Sequence, residues 1–285
     1  MIIEHALPTS LCRRGQPLRV LIVGAGGNGS AMLLGLPYLH QAMKVWGHAG
    51  GLHVMLADGD QVSETNCVRQ PFAAADVGLN KAVVLINRVN LFWGLRWQAY
   101  PEHFHKDSLK NHSTGPHLVI GCVDTRAARQ AILSAVTRAN DSTVYWLDLG
   151  NNASSGQFVL GQPLNAANRR SAVRLRTVAE LYPEIVDAEA GEDPLPSCSA
   201  AEALERQEPF INQVLATSAL AMLARLFHYG TLTHHGAFYN AQTGRMAALP
   251  VDPRMWERMR RRDRRRTRSP NILSDQGVHL ESIPR

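Results

Sequence analysis

The sequence predicts an α/β protein: a Rossmann-like, mostly parallel sheet with helices on both faces. Three observations predict it. Short apolar runs recur at 18–23, 52–57, 118–123 and 144–149, each followed by Gly, Asp or a Gly close behind. Segments with helical spacing separate them, the alternation that builds parallel sheets. The first run, moreover, enters its helix through a turn holding four glycines.

Each element follows from its residues. Leu18 to Val23 is β-branched and apolar and stops at Gly24; Asn28 then opens a helical stretch with Met32, Leu33, Leu36, Tyr38 and Leu39. Leu52 to Ala57 is a second strand ending at Asp58, Leu118 to Val123 a third ending at Asp124, and Val144 to Leu149 a fourth ending at Gly150. Strands apolar throughout are those covered on both faces. Helices are expected at about 80–93, where Ala82, Val83, Leu85, Ile86 and Val89 share a face, and at about 124–139. From 162 to 200 a run of Arg169, Arg170, Arg174 and Arg176 gives way to the acidic, Pro-containing DAEAGEDPLPSCS, read as a crossover with a mobile loop. A long apolar helix follows at about 210–228, then a hairpin of His235 to Asn240 and Arg245 to Pro250 around Thr243-Gly244. The expected organisation is an N-terminal arm (1–17), a nucleotide-binding core (18–161), a crossover, long helix and hairpin (162–253), and a flexible Arg-rich tail (254–285).

Composition narrows the class. At 285 residues, with 45% apolar and 19% charged, the chain can bury a large core and is neither disordered nor coiled-coil. The net charge of +6 invites a nucleic-acid or membrane reading, but residues 254–268 hold nine Arg against Glu257 and Asp263. The basicity therefore belongs to the tail, which leaves nucleic-acid contact open for that segment alone. Cys12, Cys67, Cys122 and Cys198 make no C-x-x-C pair, so neither a disulfide framework nor structural zinc is predicted. His103, His105, His234 and His235 lack a third ligand at short spacing and read as surface residues. No apolar run approaches the roughly 18 residues of a membrane span, and no cleavable leader is evident, so a cytoplasmic protein with no membrane contact is expected.

The first chemical signal is GAGGNG at 24–29, in which Gly24, Gly26, Gly27 and Gly29 open a helix. Backbone N–H groups there can face phosphate, and glycines admit the nucleotide. A dehydrogenase would place an acid about 20 residues on; Asp58 stands 29 residues after Gly29, a spacing that fits either reading. The residues beyond Asp58 separate the two. Asp58-Gly-Asp60-Gln-Val-Ser-Glu-Thr65-Asn66-Cys67-Val-Arg69-Gln70, then Asp76-Val-Gly78-Leu-Asn-Lys81-Ala, gathers carboxylates, amides and cations that hydride transfer does not use.

Here the chain resembles the ThiF/MoeB and ubiquitin-activating (E1-like) superfamily, whose pattern is GxGGxG, D-x-D-x-V-x-x-S-N-x-x-R-Q and D-x-G-x-x-K-A. The resemblance continues at Asp124-Thr125-Arg-Ala-Ala-Arg129 and at GNNASSGQFVLG (150–161); it is close over about 18–161 and loose over 196–228. Within the superfamily the chain is most similar to the ThiF-type family of the bacterial PRTRC cassette, which also encodes ubiquitin-like and conjugating-enzyme-like proteins. The resemblance implies ATP-dependent adenylation of the C-terminal carboxylate of a small ubiquitin-like protein. It implies that Asp58 binds the ribose, with Asp60 beside it, that Asn66, Arg69 and Gln70 address the triphosphate, that Lys81 stabilises the transferring phosphoryl group, and that Asp124 holds Mg²⁺. On the residues alone, Arg69 and Lys81 are equally solvated surface cations and Asp124 equally a helix N-cap. Thr65 and Thr125 depart from the family's Ser and Asn. The resemblance further implies a homodimer with an arginine, Arg13 or Arg14, reaching the partner's site. Cys198, in Pro196-Ser-Cys198-Ser, is either a thioester nucleophile or an ordinary loop cysteine. Two other outcomes stay open: activation of a sulfur carrier of the ThiS/MoaD kind, and a non-catalytic nucleotide-binding scaffold whose tail holds DNA or an acidic partner.

Overall fold

The computed structural model describes residues 3–12, 15–110, 115–138, 143–169, 171, 173–187, 189 and 208–259. Its first strand, β1 (His5–Ala6), pairs antiparallel with β8 (Thr231–Leu232) in a small ribbon. The remaining strands form one sheet. β2 (Leu18–Val23) lies between β3 (Leu52–Ala57) and β5 (Leu118–Gly121); β4 (Gln98–Tyr100) lies beyond β3, and β6 (Tyr145–Asn151) beyond β5. These five are parallel. β7 (Ser155–Gly161), β9 (His234–Asn240) and β10 (Arg245–Pro250) extend the sheet antiparallel, in the order β10-β9-β7-β6-β5-β2-β3-β4.

Both faces of the central strands are covered. Val20 and Ile22 on one side of β2 and Leu21 and Val23 on the other are all buried, as are Val54, Leu56, Val119, Ile120, Leu147 and Leu149. The chain passes from β2 through α1 (Gly27–Val45) to β3 and through α2 (Lys81–Trp93) to β4. It then returns to the other side of β2 for β5, α3 (Arg126–Arg138) and β6. Because such crossovers are right-handed, this reversal puts α1 and α2 on one face and α3 on the other. It also opens a crevice at the carboxyl ends of β2 and β5, where ligands of doubly wound sheets bind.

Two further helices complete the frame, the short α4 (Val178–Leu181) and the long α5 (Ile211–Tyr229). α5 lies along α1. A Cβ on Gly35 would stand 2.3 Å from Leu220 Cδ1, one on Gly27 would stand 2.3 Å from Asn212 Nδ2, and Trp46 stacks on His228 at 4.3 Å. The paired positions rise together, so the helices run parallel, amino end beside amino end.

Several expectations change. The third strand stops at Gly121, leaving Cys122 just past it, and the fourth runs on to Asn151. β1 and β4 are too short to leave a sequence pattern. Tyr38 is exposed and meets Trp93 edge-on. The first part of the supposed mobile crossover is stapled: Arg174 donates to both Glu180 carboxylate oxygens at 2.9 and 2.5 Å, and Arg176 to Glu180 Oε1 at 2.7 Å. Residues 190–207, including Cys198, lie outside the described residues. A separate unit begins at Asp252; of its described residues 253–259 is helical and Asp252 accepts the Arg254 N–H at 2.9 Å, so the first residues of the tail belong to a helix. No described helix is long and apolar enough to cross a membrane.

Candidate functional site

The turn at 24–29 is shaped by its glycines. Gly24 has φ +95°, and a Cβ there would stand 2.6 Å from the Cys122 carbonyl oxygen. A Cβ on Gly29 would stand 1.8 Å from the Gly24 oxygen. Gly24 and Gly29, which meet backbone, are therefore requirements of the fold itself, whereas at Gly27 a Cβ would meet the Asn212 side-chain amide. Gly26 is different: a Cβ there would meet nothing within 4 Å. Helix α1 starts at this point with no side-chain cap and no acid in its first turn. Unpaired N–H groups at an open helix end form an anion site.

Residues 58–81 make one flank. The Asp58 carboxylate accepts the Ala25 N–H at 2.5 Å and the Asp60 N–H at 2.8 Å, tying the end of β3 to the turn. Asn80, which carries no family motif in the sequence, caps α2 by accepting the Val83 N–H at 3.1 Å. Its amide donates to the Asp58 and Asp60 carbonyls at 2.8 and 3.2 Å. The cap places Lys81, only 8% exposed, so that its ammonium meets Asp60 Oδ2 at 3.0 Å. Lys81 is therefore not a solvated surface cation. Arg69 is exposed at the end of the turn 64–68. Within that turn Asn66 Oδ1 accepts the Ser63 N–H at 3.0 Å and the Thr65 hydroxyl meets that of Ser63 at 2.9 Å; the buried Gln70 Oε1 has no partner. Asp76 has a structural task. It accepts the Ala73 N–H at 2.6 Å and pairs with Arg88, and that backbone bond, with the guanidinium's help, holds its carboxyl below the usual range.

The β5–α3 turn supplies the other acid. The Thr125 hydroxyl accepts the Ala128 N–H at 3.2 Å and so caps α3. The capping alternative for Asp124 falls, because its carboxylate is exposed and makes no hydrogen bond among the described residues. Behind it, Arg129 reaches the Asp124 carbonyl at 3.3 Å with Nη1 and lies 3.4 Å from Asp148 Oδ1 with Nε. Asp148 is fully buried, and burial pushes its carboxyl up to about 6 against the pull of Arg129. Its neighbour Cys122 has its thiol pushed up by burial and by Asp148, which disfavours the thiolate.

A second group, unmarked in the sequence, borders the turn opposite Asp58. Asn28, 9% exposed, donates to Asn151 Oδ1 at 2.9 Å, and Asn212, 5% exposed, rests against Gly27. Their positions, far apart in the chain, carry no local signal.

The remaining candidates are spread apart. Cys12 is exposed, and Cys67 lies in the turn 64–68 with its thiol toward the Ser63 carbonyl at 3.7 Å. His103 and His105 are exposed, but His235 is not a surface residue: it is buried in β9, its Nδ1 2.7 Å from the Leu160 oxygen, and burial lowers the ring to about 4. Among the described residues no group of three His, Cys, Asp or Glu could hold a metal ion. Arg13, Arg14 and Cys198 lie outside the described residues.

The arrangement can bind a phosphorylated nucleotide, with an anion-receiving turn flanked on its β3 side by an acid, Asp58, and by the ammonium of Lys81 held on Asp60. Among solved structures the chain is similar to PaaA, at 15% identity, TM-score 0.54, over 84% of this chain and 64% of that one. It is similar to E. coli MccB solved with ATP, at 15% identity and TM-score 0.52, and with MccA-N7isoASN, at 17% and 0.51, each over 82% of this chain and 64% of that one. The chain thus spans under two thirds of the length of these proteins, and the likeness is one of fold. No curated protein matches it. A match to the ThiF family over residues 6–264 covers most of the sequence, including every motif described above, and the chain belongs to that family.

Proposed function

We propose that the chain is an ATP-dependent adenylyltransferase of the E1-like kind, which activates the C-terminal carboxylate of a small ubiquitin-like protein such as that of the PRTRC cassette. The carrying observation is the open α1 end. Gly26, the one glycine of the turn with free space beside it, faces no part of the described fold, and space kept clear at an uncapped helix end suits a phosphate. Family membership and the structures of MccB with ATP and with MccA-N7isoASN support the reading.

In this reading Asp58 orients the ribose, and the N–H groups of the turn hold the α-phosphate. A carboxylate oxygen of the carrier bonds to the α-phosphorus as the bond to the bridging oxygen breaks, and that electron pair leaves with pyrophosphate. Lys81 and Arg69 neutralise the charge that builds on the leaving group. Asp60 keeps the Lys81 ammonium in place until phosphate competes for it. The exposed Asp124 carboxylate fits Mg²⁺, which binds through one or two carboxylates and phosphate oxygens. When bound, the ion would neutralise charge on the triphosphate. The thiol of Cys198 would lose its proton and bond to the acyl carbon as the bond from that carbon to the phosphate oxygen breaks and AMP leaves, giving a thioester, and a homodimer in the cytoplasm would bring Arg13 or Arg14 to the neighbouring site.

Pyrophosphate exchange in the presence of the cassette's ubiquitin-like protein tests the reading. Exchange that depends on that protein and falls about a hundredfold in Asp124→Ala is expected; none with pure components overturns it. A dithiothreitol-sensitive carrier adduct that survives in Cys198→Ala would exclude that cysteine.

A further inference from the structure

Beneath the exposed carboxylate of Asp124 lies an ion pair that the adenylation reading leaves without a task. Asp148, in β6, is fully buried and stands in register with Gly121, the last residue of β5. Arg129, 6% exposed, reaches it from the first turn of α3, with Nε 3.4 Å from Asp148 Oδ1. Two glycines keep space for the pair: a Cβ on Gly121 would stand 3.2 Å from Asp148 Oδ1, and one on Gly150 2.9 Å from Arg129 Nη2. The pair is costly. Among the described residues neither Asp148 oxygen nor Arg129 Nε completes a hydrogen bond, and the buried Trp146 Nε1, 3.0 Å from the same Gly121 Cβ position, finds no acceptor. Desolvation offsets the attraction within such a pair, so stability alone does not account for it.

Position supplies a reason. Arg129 Nη1 is 3.3 Å from the Asp124 carbonyl oxygen, so the guanidinium lies within a side chain's length of the carboxylate of that same residue. Arginine beside a carboxylate readily forms a bidentate pair. Here the guanidinium turns into the core instead, and the exposed Asp124 carboxylate makes no hydrogen bond among the described residues. Attraction between charges grows as the dielectric falls, so a buried acid outcompetes an exposed one for the same cation. Asp148 also cancels the charge of the arginine. Left uncompensated, that charge would stand beside Asp124 and repel a cation arriving there.

We propose that Asp148 is a positioning residue that acts through Arg129: it holds the guanidinium in the core and neutralises it, so that Asp124 stays available to the divalent cation that accompanies ATP. The inference rests on the adenylation reading, in which Asp124 meets Mg²⁺. Asp148 itself, fully buried, touches neither ion nor nucleotide. Its work is to leave one acid of the β5–α3 turn free.

The test measures binding rather than turnover. ATP affinity of the full chain is determined by calorimetry in excess Mg²⁺ and again in EDTA, and the ratio is the gain that the ion confers. Asp124→Ala gives the reference for a lost ion seat. Asp148→Asn, which keeps the shape and removes the charge, should lower the gain about tenfold. Its ATP affinity in EDTA should not fall, whereas a merely structural lesion would weaken ATP under both conditions. Adding Arg129→Met to Asp148→Asn removes the stray cation and should restore the gain to within about twofold of wild type. That double variant carries no unpaired buried charge and so folds even where a single variant does not. Asp148→Asn with the full gain, or a double variant whose gain stays low, overturns the inference while leaving the nucleotide site intact. A wild-type chain that binds no ATP overturns the adenylation reading instead.

Discussion

The two sides of the glycine turn are built from opposite materials. On the β3 side Asp58, Asp60 and Lys81 are charged, are tied to backbone or to each other, and come from a single stretch of 24 residues. On the β6 side Asn28, Asn151 and Asn212 are neutral, largely buried, and drawn from three distant parts of the chain. The difference follows from desolvation. A charge can be held ready where a counter-ion or water neutralises it, as Asp60 does for Lys81. A buried position beside two helix ends tolerates amides, which cost less to desolvate than ions and donate without adding like charge to the dipoles. One side is suited to a charged ligand, the other to neutral hydrogen-bonding groups.

Three experiments would sharpen or break that contrast. The largest effect lies in the turn between the sides. Gly29→Ala drives a Cβ into the Gly24 carbonyl, a backbone clash nothing can relieve, so thermal and denaturant unfolding should show a loss of more than about 4 kcal/mol or no folded protein. Gly26→Ala should cost about 1 kcal/mol or less in stability yet weaken ATP binding clearly. If Gly26→Ala binds ATP normally, the clear space beside it is not a phosphate seat. Next, Lys81→Ala should lower carrier-dependent pyrophosphate exchange by about 10²- to 10³-fold; exchange unchanged in that variant would mean that the buried ammonium serves only the fold. The smallest effect tests a region outside both. Burial of Glu180 alone would raise its carboxyl, but its bonds to Arg174, the Thr177 backbone and Arg176 outweigh that and bring it to about 2, below its ordinary 4.5. Its stabilisation is therefore full above pH 4.5 and is lost as pH falls from 4.5 toward 2. Melting temperature against pH should fall through that window, and Glu180→Gln should flatten the slope while leaving nucleotide binding at neutral pH intact.

Much of this was legible in the sequence because its determinants are local. The apolar runs at 18–23 and 52–57 set two parallel strands with their observed ends, and the motif from Asp58 to Lys81 puts its charges within one loop and a helix start. Local reasoning failed where one position admits two tasks. Asp124 and Thr125 are both good caps, and only the bond from Ala128 to the Thr125 hydroxyl tells which is spent on the helix and which is free. It failed again where burial decides, as for His235, whose place in β9 depends on its pairing with β7. The amide side was invisible for a further reason. Asn28 and Asn151 are 123 residues apart, and neutral amides leave no charge pattern to follow.

The parallel docking of α5 on α1 bears on the order in which the protein becomes competent. The loop and helix start from 58 to 81 can assemble early, since its contacts close short loops. The end shared by residues 27 and 212 closes a loop of nearly two hundred residues, and such long-range closures come late and slowly. A nascent chain that has already gathered the charges of residues 58–81 would still lack the helix that lies against the glycine turn. The turn would then reach its final surroundings only with the last large piece of tertiary structure, so its charged side and its amide side are completed at different times.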